Sequence, residues 1–251
     1  MRLLVPALLV LSGCSTLQAD PAAKVVADHL TIADVQNPKS LQYAPNRTVD
    51  LPNLTVLWVD TFDETMDGKS MGTVFVQDFG SNAPYSAISV YQPSFVPSDL
   101  RPLPGDVVDM AGPYQEVTSI GSAVFTPPQT LPQLAKPVGA FRYEWPLGAP
   151  RTIDLADLDD YATGRQWEGQ IVTVQNVYAG PATASGGRVT LALTPTPGAS
   201  TNTDTVAMSN EEYALVQTDF PPGTHFQSVT GLVTWFFSYH IAPRSPADLV
   251  Q

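Results

Sequence analysis

The chain has one cysteine in 251 residues, only three histidines, and few bases: 12 Lys and Arg stand against 24 Asp and Glu. The lone thiol, Cys14, excludes a disulfide framework, so an exported body would have to draw its stability from burial. So few histidines, scattered at His29, His225 and His240 without a cysteine partner, argue against a zinc site. A formal charge of −12 repels a polyanion on average, which counts against nucleic acid as a partner. Long apolar runs are missing as well. The run Leu3 to Leu11 is far short of the ~20 residues that a membrane-spanning helix needs. There is no Gly-x-Ser-x-Gly elbow, no His-Glu-x-x-His helix and no Gly-x-x-x-x-Gly-Lys phosphate loop. The expectation is a protein that is not an enzyme and carries no cofactor.

What is there begins at the front end. Arg2, the apolar run and the small pair Ser12-Gly13 have the form of an export signal over residues 1–13. The tetrapeptide Leu11-Ser12-Gly13-Cys14 resembles the lipobox of bacterial lipoproteins. That resemblance implies a lipid-modified Cys14 after removal of the leader. Ser15 is similar to the residue that permits transfer to the outer membrane in Gram-negative relatives. The implied setting is the cell envelope, with the membrane as a partner through the lipid. A single acyl chain holds marginally, whereas two or three hold firmly.

Residues 14–47 read as a lipidated tether and lead-in segment. Val25 to Val35 has the makings of a short helix or strand, stopped at Asn37-Pro38 and Ala44-Pro45 because a residue before proline is pushed out of the helical region. From Thr48 onward, short alternating runs are punctuated by Gly, Pro, Asn and Asp, and 24 prolines favour turns over long helices. Strands are expected at Leu54–Val59, Thr73–Gln77, Ala87–Tyr91 and Val107–Ala111, with a fifth within Tyr114–Phe125. The second half repeats the pattern at Gln170–Gln175, Val189–Leu193, Thr205–Met208, Phe226–Val233 and Trp235–Ile241. Two sets of five strands predict an all-β chain of two tandem barrels, over 48–145 and 146–251, joined near Pro146 to Asp160.

Gly72-Thr73-Val74-Phe75-Val76-Gln77-Asp78, Ile88-Ser89-Val90-Tyr91, Pro104-Gly105-Asp106-Val107-Val108 and Gly112 resemble the OB-fold modules that accompany secreted bacterial nucleases. Trp167 to Val174, Pro222-Gly223-Thr224, Val229-Thr230-Gly231 and Ala242-Pro243-Arg244-Ser245 are similar to a second copy. The resemblance implies two OB-like five-stranded barrels. In those enzymes a separate metal-dependent phosphodiesterase domain does the hydrolysis, and this chain has no room for one.

OB-folds present ligands on the face of their second and third strands. Alternation there sends Val74, Val76, Ile88 and Val90 inward and Phe75, Gln77, Ser89 and Tyr91 outward. Phe75, Gln77 and Tyr91 are therefore the candidate ligand-binding residues, with packing against the lead-in or the other barrel as the plainer use of the two rings. In Trp235 to His240, alternation puts Trp235, Phe237 and Tyr239 on the core side. Asp60, Asp63, Glu64 and Asp67, followed by Gly68, supply oxygens of the kind calcium takes, yet lack the spacing of a calcium hand. A solvated acidic turn is the plainer reading of this loop and of Asp154 to Asp160. His225 and His240 are candidates to meet in space. The expected function is a lipid-anchored, non-catalytic binding or scaffold module for a protein or polymer ligand. The alternative is an accessory substrate-binding subunit of an extracellular nuclease.

Overall fold

A computed structural model describes residues 30–43, 45–68, 71–198 and 206–251. Cys14, the leader and the front of the tether lie outside the described residues, as do His29, Lys69 and Thr205. Among the described residues no helix is long and apolar enough to cross a membrane.

In chain order the first half forms β1 (Arg47–Val59), β2 (Val74–Asp78), β3 (Ala87–Tyr91), β4 (Ser94–Val96), β5 (Asp106–Val117), β6 (Ser119–Ile120), β7 (Ala123–Val124), β8 (Leu131–Ala135) and β9 (Val138–Glu144). The second half forms β10 (Arg151–Thr152), β11 (Ile171–Ser185), β12 (Arg188–Thr194), β13 (Ala207–Ser209), β14 (His225–Trp235), β15 (Tyr239–Ala242) and β16 (Leu249–Val250).

The first barrel closes in the order β1-β2-β3-β8-β5 and back to β1, and the second in the order β11-β12-β13-β15-β14 and back to β11. In each, three antiparallel strands are followed by a fifth that runs parallel to the third, and the fourth seals the barrel against the first. The chain is thus all-β with two closed five-stranded OB-like barrels, each carrying extra strands. Closure asks the first strand of each barrel to bend. β1 does so at shifts in register beside Asn53 and Leu57, and β11 between Ala179 and Ala182. Asn53 adopts φ +54 and Asn176 φ +53, a left-handed conformation that asparagine tolerates better than most side chains.

Alternation holds along β2 and β3. Val74, Val76, Ile88 and Val90 fill the first barrel with Leu51, Leu54 and Met110, while Val172, Val174, Leu193, Phe226 and Val233 fill the second. The lead-in is more than a spacer. Helix α1 (Ile32–Gln36) is capped reciprocally by Thr31 and Asp34, and its Ile32 and Val35 are fully buried in the first barrel's core. It sits where β2 hands over to β3, because Asp78 accepts from Ile32 N at 2.8 Å and Gln36 Nε2 donates to the Ala87 carbonyl at 2.8 Å. Before the second barrel, a 3₁₀ turn (Leu155–Leu158) and α2 (Tyr161–Gly164) carry Leu158 and then Trp167 into that barrel's core.

Three sequence expectations need correction. The fifth strand of the first barrel is β8, beyond Tyr114–Phe125; Tyr114 to Val117 simply continue the fourth. Proline is rare inside a strand, yet Pro132 pairs with Glu116 on β5, and its carbonyl accepts from Ser89 Oγ at 3.0 Å. Trp235 ends β14, and the closing strand starts only at Tyr239. Between them Phe237 turns at φ +63 and is 45% exposed, so alternation fails there.

The barrels pack directly on each other. Leu57, Phe75 and Ala87 from the first form an apolar cluster with Ile171, Leu232 and Ala242 from the second. Each also lends a piece to the other. The connection between β5 and β8, with its β6–β7 hairpin, carries Phe125 into the second core, 6.4 Å from the Trp235 ring. The β11–β12 hairpin in turn lays its tip on the acidic loop of the first barrel. Gly187 (φ +89) comes so close that a Cβ there would fall 2.3 Å from the Glu64 carbonyl oxygen, an approach open only to glycine.

Candidate functional site

Where the barrels meet they leave a cleft of about 440 Å³. One wall is the outer face of β2, β3 and β8. Phe75 pairs with Ser89 and Ser89 with Gln133, so these three side chains lie in a row, with Tyr91 beside them. The facing wall is the end of β14 and the turn after it, Val233 to Phe236. The volume falls in the range of small-molecule sites, and the mix of apolar walls and a few polar groups is typical of them.

The sequence candidates separate here. Phe75 and Tyr91 do share the cleft. Phe75 is 7% exposed and wedged into the inter-barrel cluster, whereas Tyr91 is 46% exposed and stands at the opening. Gln77 is turned elsewhere. Its amide donates to Ser86 Oγ at 3.2 Å, and it lines a second groove of about 480 Å³ with Asp78, Trp145, Leu147 and Arg244. His225 and His240 do not meet, since His225 starts β14 and His240, on β15, lies beside the far end of that strand. His225 packs on Tyr178, and His240 lies opposite Thr234.

Five carboxyl groups line the cleft: Asp60 and Glu64 after β1, Glu168 before β11, and Glu211 and Glu212 after β13. Among the described residues the only base in that lining is Arg188, whose Nε meets Glu64 Oε1 at 3.3 Å while its guanidinium lies 4.6 Å from the centre of the Phe236 ring. Glu212 accepts from Trp58 Nε1 at 2.8 Å, tying the second barrel's acid to the first barrel's strand. Burial pushes the Asp60 and Glu212 carboxyls well above the usual range, and the neighbouring acids add to the shift. Burial raises Glu168 in the same direction, against the pull of nearby Arg165. His240, behind Glu211 and Arg188, is lowered by burial.

Within the acidic loop Asp60 and Glu64 are buried, at 7% and 4% exposed, so this half is not a solvated turn, while Asp67 is exposed. Among the described residues no group of three or more His, Cys, Asp or Glu side chains is placed to hold a metal ion. The acids of the joint have local duties. Asp160 caps α2 by accepting from Ala162 N and Thr163 N, and Asp157 accepts from Asp154 N.

Sequence reasoning missed Glu168, Arg188, Glu211 and Glu212, which reach the cleft only through the docking of one barrel on the other. A faint signal exists in Trp167-Glu168-Gly169, an acid set among residues that otherwise read as core. No protein-family model matches the chain, and no curated protein matches it.

Proposed function

We propose that this protein is a lipid-anchored, non-catalytic binding module of the bacterial cell envelope, which takes its ligand in the cleft between its two OB-like barrels. Anchorage rests on the lipobox at Cys14, and outer-membrane placement on Ser15. The binding surface rests on the fold: Phe75, Ser89 and Tyr91 lie on the β2–β3 face that OB-folds use for ligands. The observation that carries the reading is that the second barrel roofs this face without filling it, leaving Tyr91 half exposed at the opening. The catalytic motifs sought in the sequence are missing, and the buried acids are raised by desolvation rather than paired with a nucleophile. Service to a nuclease fits less well. Single-strand binders combine stacking rings with a basic groove, and here, among the described residues, five acids face one arginine already engaged with Glu64.

The test is a photo-crosslinking amino acid placed at Tyr91 in cells, with the same group at fully exposed Leu41 as control. The expected result is a discrete adduct from position 91 and none from 41. Equal labelling at both positions, or none at 91, would overturn the reading.

A further inference from the structure

Among the described residues Arg188 is the only base that lines the cleft, and two of the cleft's acids keep carboxyl oxygens without partners. Arg188 answers Glu64 through one oxygen only, and Glu64 Oε2 has no hydrogen-bond partner although the residue is 4% exposed. Glu168 is 5% exposed and neither of its carboxyl oxygens has a partner. Leaving buried polar atoms without partners is costly, so a native site that keeps them has a use for them. Opposite the acids lie aromatic and aliphatic walls, with Tyr91 and Phe236 at hand for the stem and the face of a cation.

We propose that the cleft binds an organic cation, an ammonium or guanidinium group carried on an apolar stem, with the charge on Glu64 and Glu211 and the stem along Tyr91 and Phe236. This rests on the cleft being the binding site. A bare metal ion fits less well: no metal-like cluster exists among the described residues, and it would leave the apolar walls without a role. An anion meets five carboxyls. Among the described residues the other titratable or charged groups facing the acids are Arg188 from β12, His240 from β15, Arg165 beside Glu168, and Arg244, which stacks on Trp58 behind Glu212. A bound cation favours the ionised carboxylates, so Asp60 and Glu212 release protons as it enters.

Calorimetric titration of the full chain in mild detergent tests this with four probes: 1,5-diaminopentane, the capped peptide acetyl-Gly-Lys-Gly-amide, pentanedioate and calcium chloride. The expected result is that the amine or the lysine peptide binds, pentanedioate does not, and the measured heat changes between buffers of different ionisation enthalpy. Tighter binding of the peptide identifies a protein side chain as the source of the cation, and tighter binding of the diamine a free amine. Glu64→Gln is expected to weaken binding about tenfold through loss of a charge-assisted contact. Tyr91→Ala, at a half-exposed position, is expected to weaken it as well and serves should Glu64→Gln fail to fold. Binding of calcium alone, binding of pentanedioate, or binding unaltered in both variants overturns the inference. If no probe binds while the Tyr91 crosslinker still labels a partner, the cation is wrong and the cleft stands.

Discussion

Arg165, at the start of the second barrel, holds the carboxylate of Glu116, near the end of the first barrel's fourth strand, and both side chains are nearly buried, at 7% and 10% exposed. The same guanidinium donates to Thr130 Oγ1 at 2.9 Å and to Tyr161 OH at 2.6 Å, while Tyr114 OH and Thr130 Oγ1 also donate to Glu116. Burial works against the arginine's charge, and Glu116 outweighs it, so the guanidinium stays charged. This pair ties the two barrels together.

Removing one partner of such a pair strands the other charge. Arg165→Met is expected to lose about 3–5 kcal/mol in urea unfolding. Adding Glu116→Gln, which keeps an acceptor for Tyr114 and Thr130, is expected to recover more than half of that loss. A single-variant loss below about 1 kcal/mol would show that the pair contributes little beyond a surface bridge.

Gly187 tests the contact between the β11–β12 hairpin and the acidic loop. Alanine there meets both a positive φ and the Glu64 carbonyl, so Gly187→Ala is expected to cost about 1–3 kcal/mol and to free the tip from the loop. Gly186→Ala, with φ +58 and nothing within 4 Å, separates the backbone term from the clash. Equal losses in the two variants would mean that the hairpin does not press on the loop.

Asp78 carries a pH dependence. Burial lifts its carboxyl from 3.8 to about 6, despite the hydrogen bonds that it accepts from Ile32 N and Ala33 N. A folded value above the unfolded one means that the native state holds the proton more tightly. The contribution of Asp78 is therefore full below about pH 4 and is lost as pH rises through about 6. Asp78→Asn keeps an acceptor for Ile32 N and removes the buried charge, so it is expected to raise stability at neutral pH by about 1–3 kcal/mol. It is also expected to flatten this part of the profile between pH 4 and 6. Thermal unfolding across that range checks it, and a variant that is less stable at neutral pH contradicts it.

The anchor is tested at Cys14. Cys14→Ser is expected to release the protein from membrane fractions or to stall its maturation. A variant that still fractionates with membranes and is cleaved at the same bond would mean that no lipid is attached there.

The sequence made the barrels legible because their interiors are built by strict alternation: Val74, Val76, Ile88 and Val90 face in, and a one-residue slip would turn all of them out. Proline hid β8, since Pro132 looks like a break until its strand is seen to pair on both sides. Phe237 departs from alternation because a tight turn interrupts the period, which composition alone does not reveal. The aromatic half of the cleft, Phe75 and Tyr91, follows from the same alternation. The acidic half does not, because Glu64 and Glu211 are 147 residues apart in the chain and share a site only through the packing of two barrels.

The most direct measurement is hydrogen–deuterium exchange of the full chain with and without 1,5-diaminopentane. Slower exchange confined to β2, β3, β8, the end of β14 and the segments that carry Glu64 and Glu211 is the expected result. Slower exchange at the groove beside Trp145 to Pro150, with the cleft strands unchanged, would contradict it.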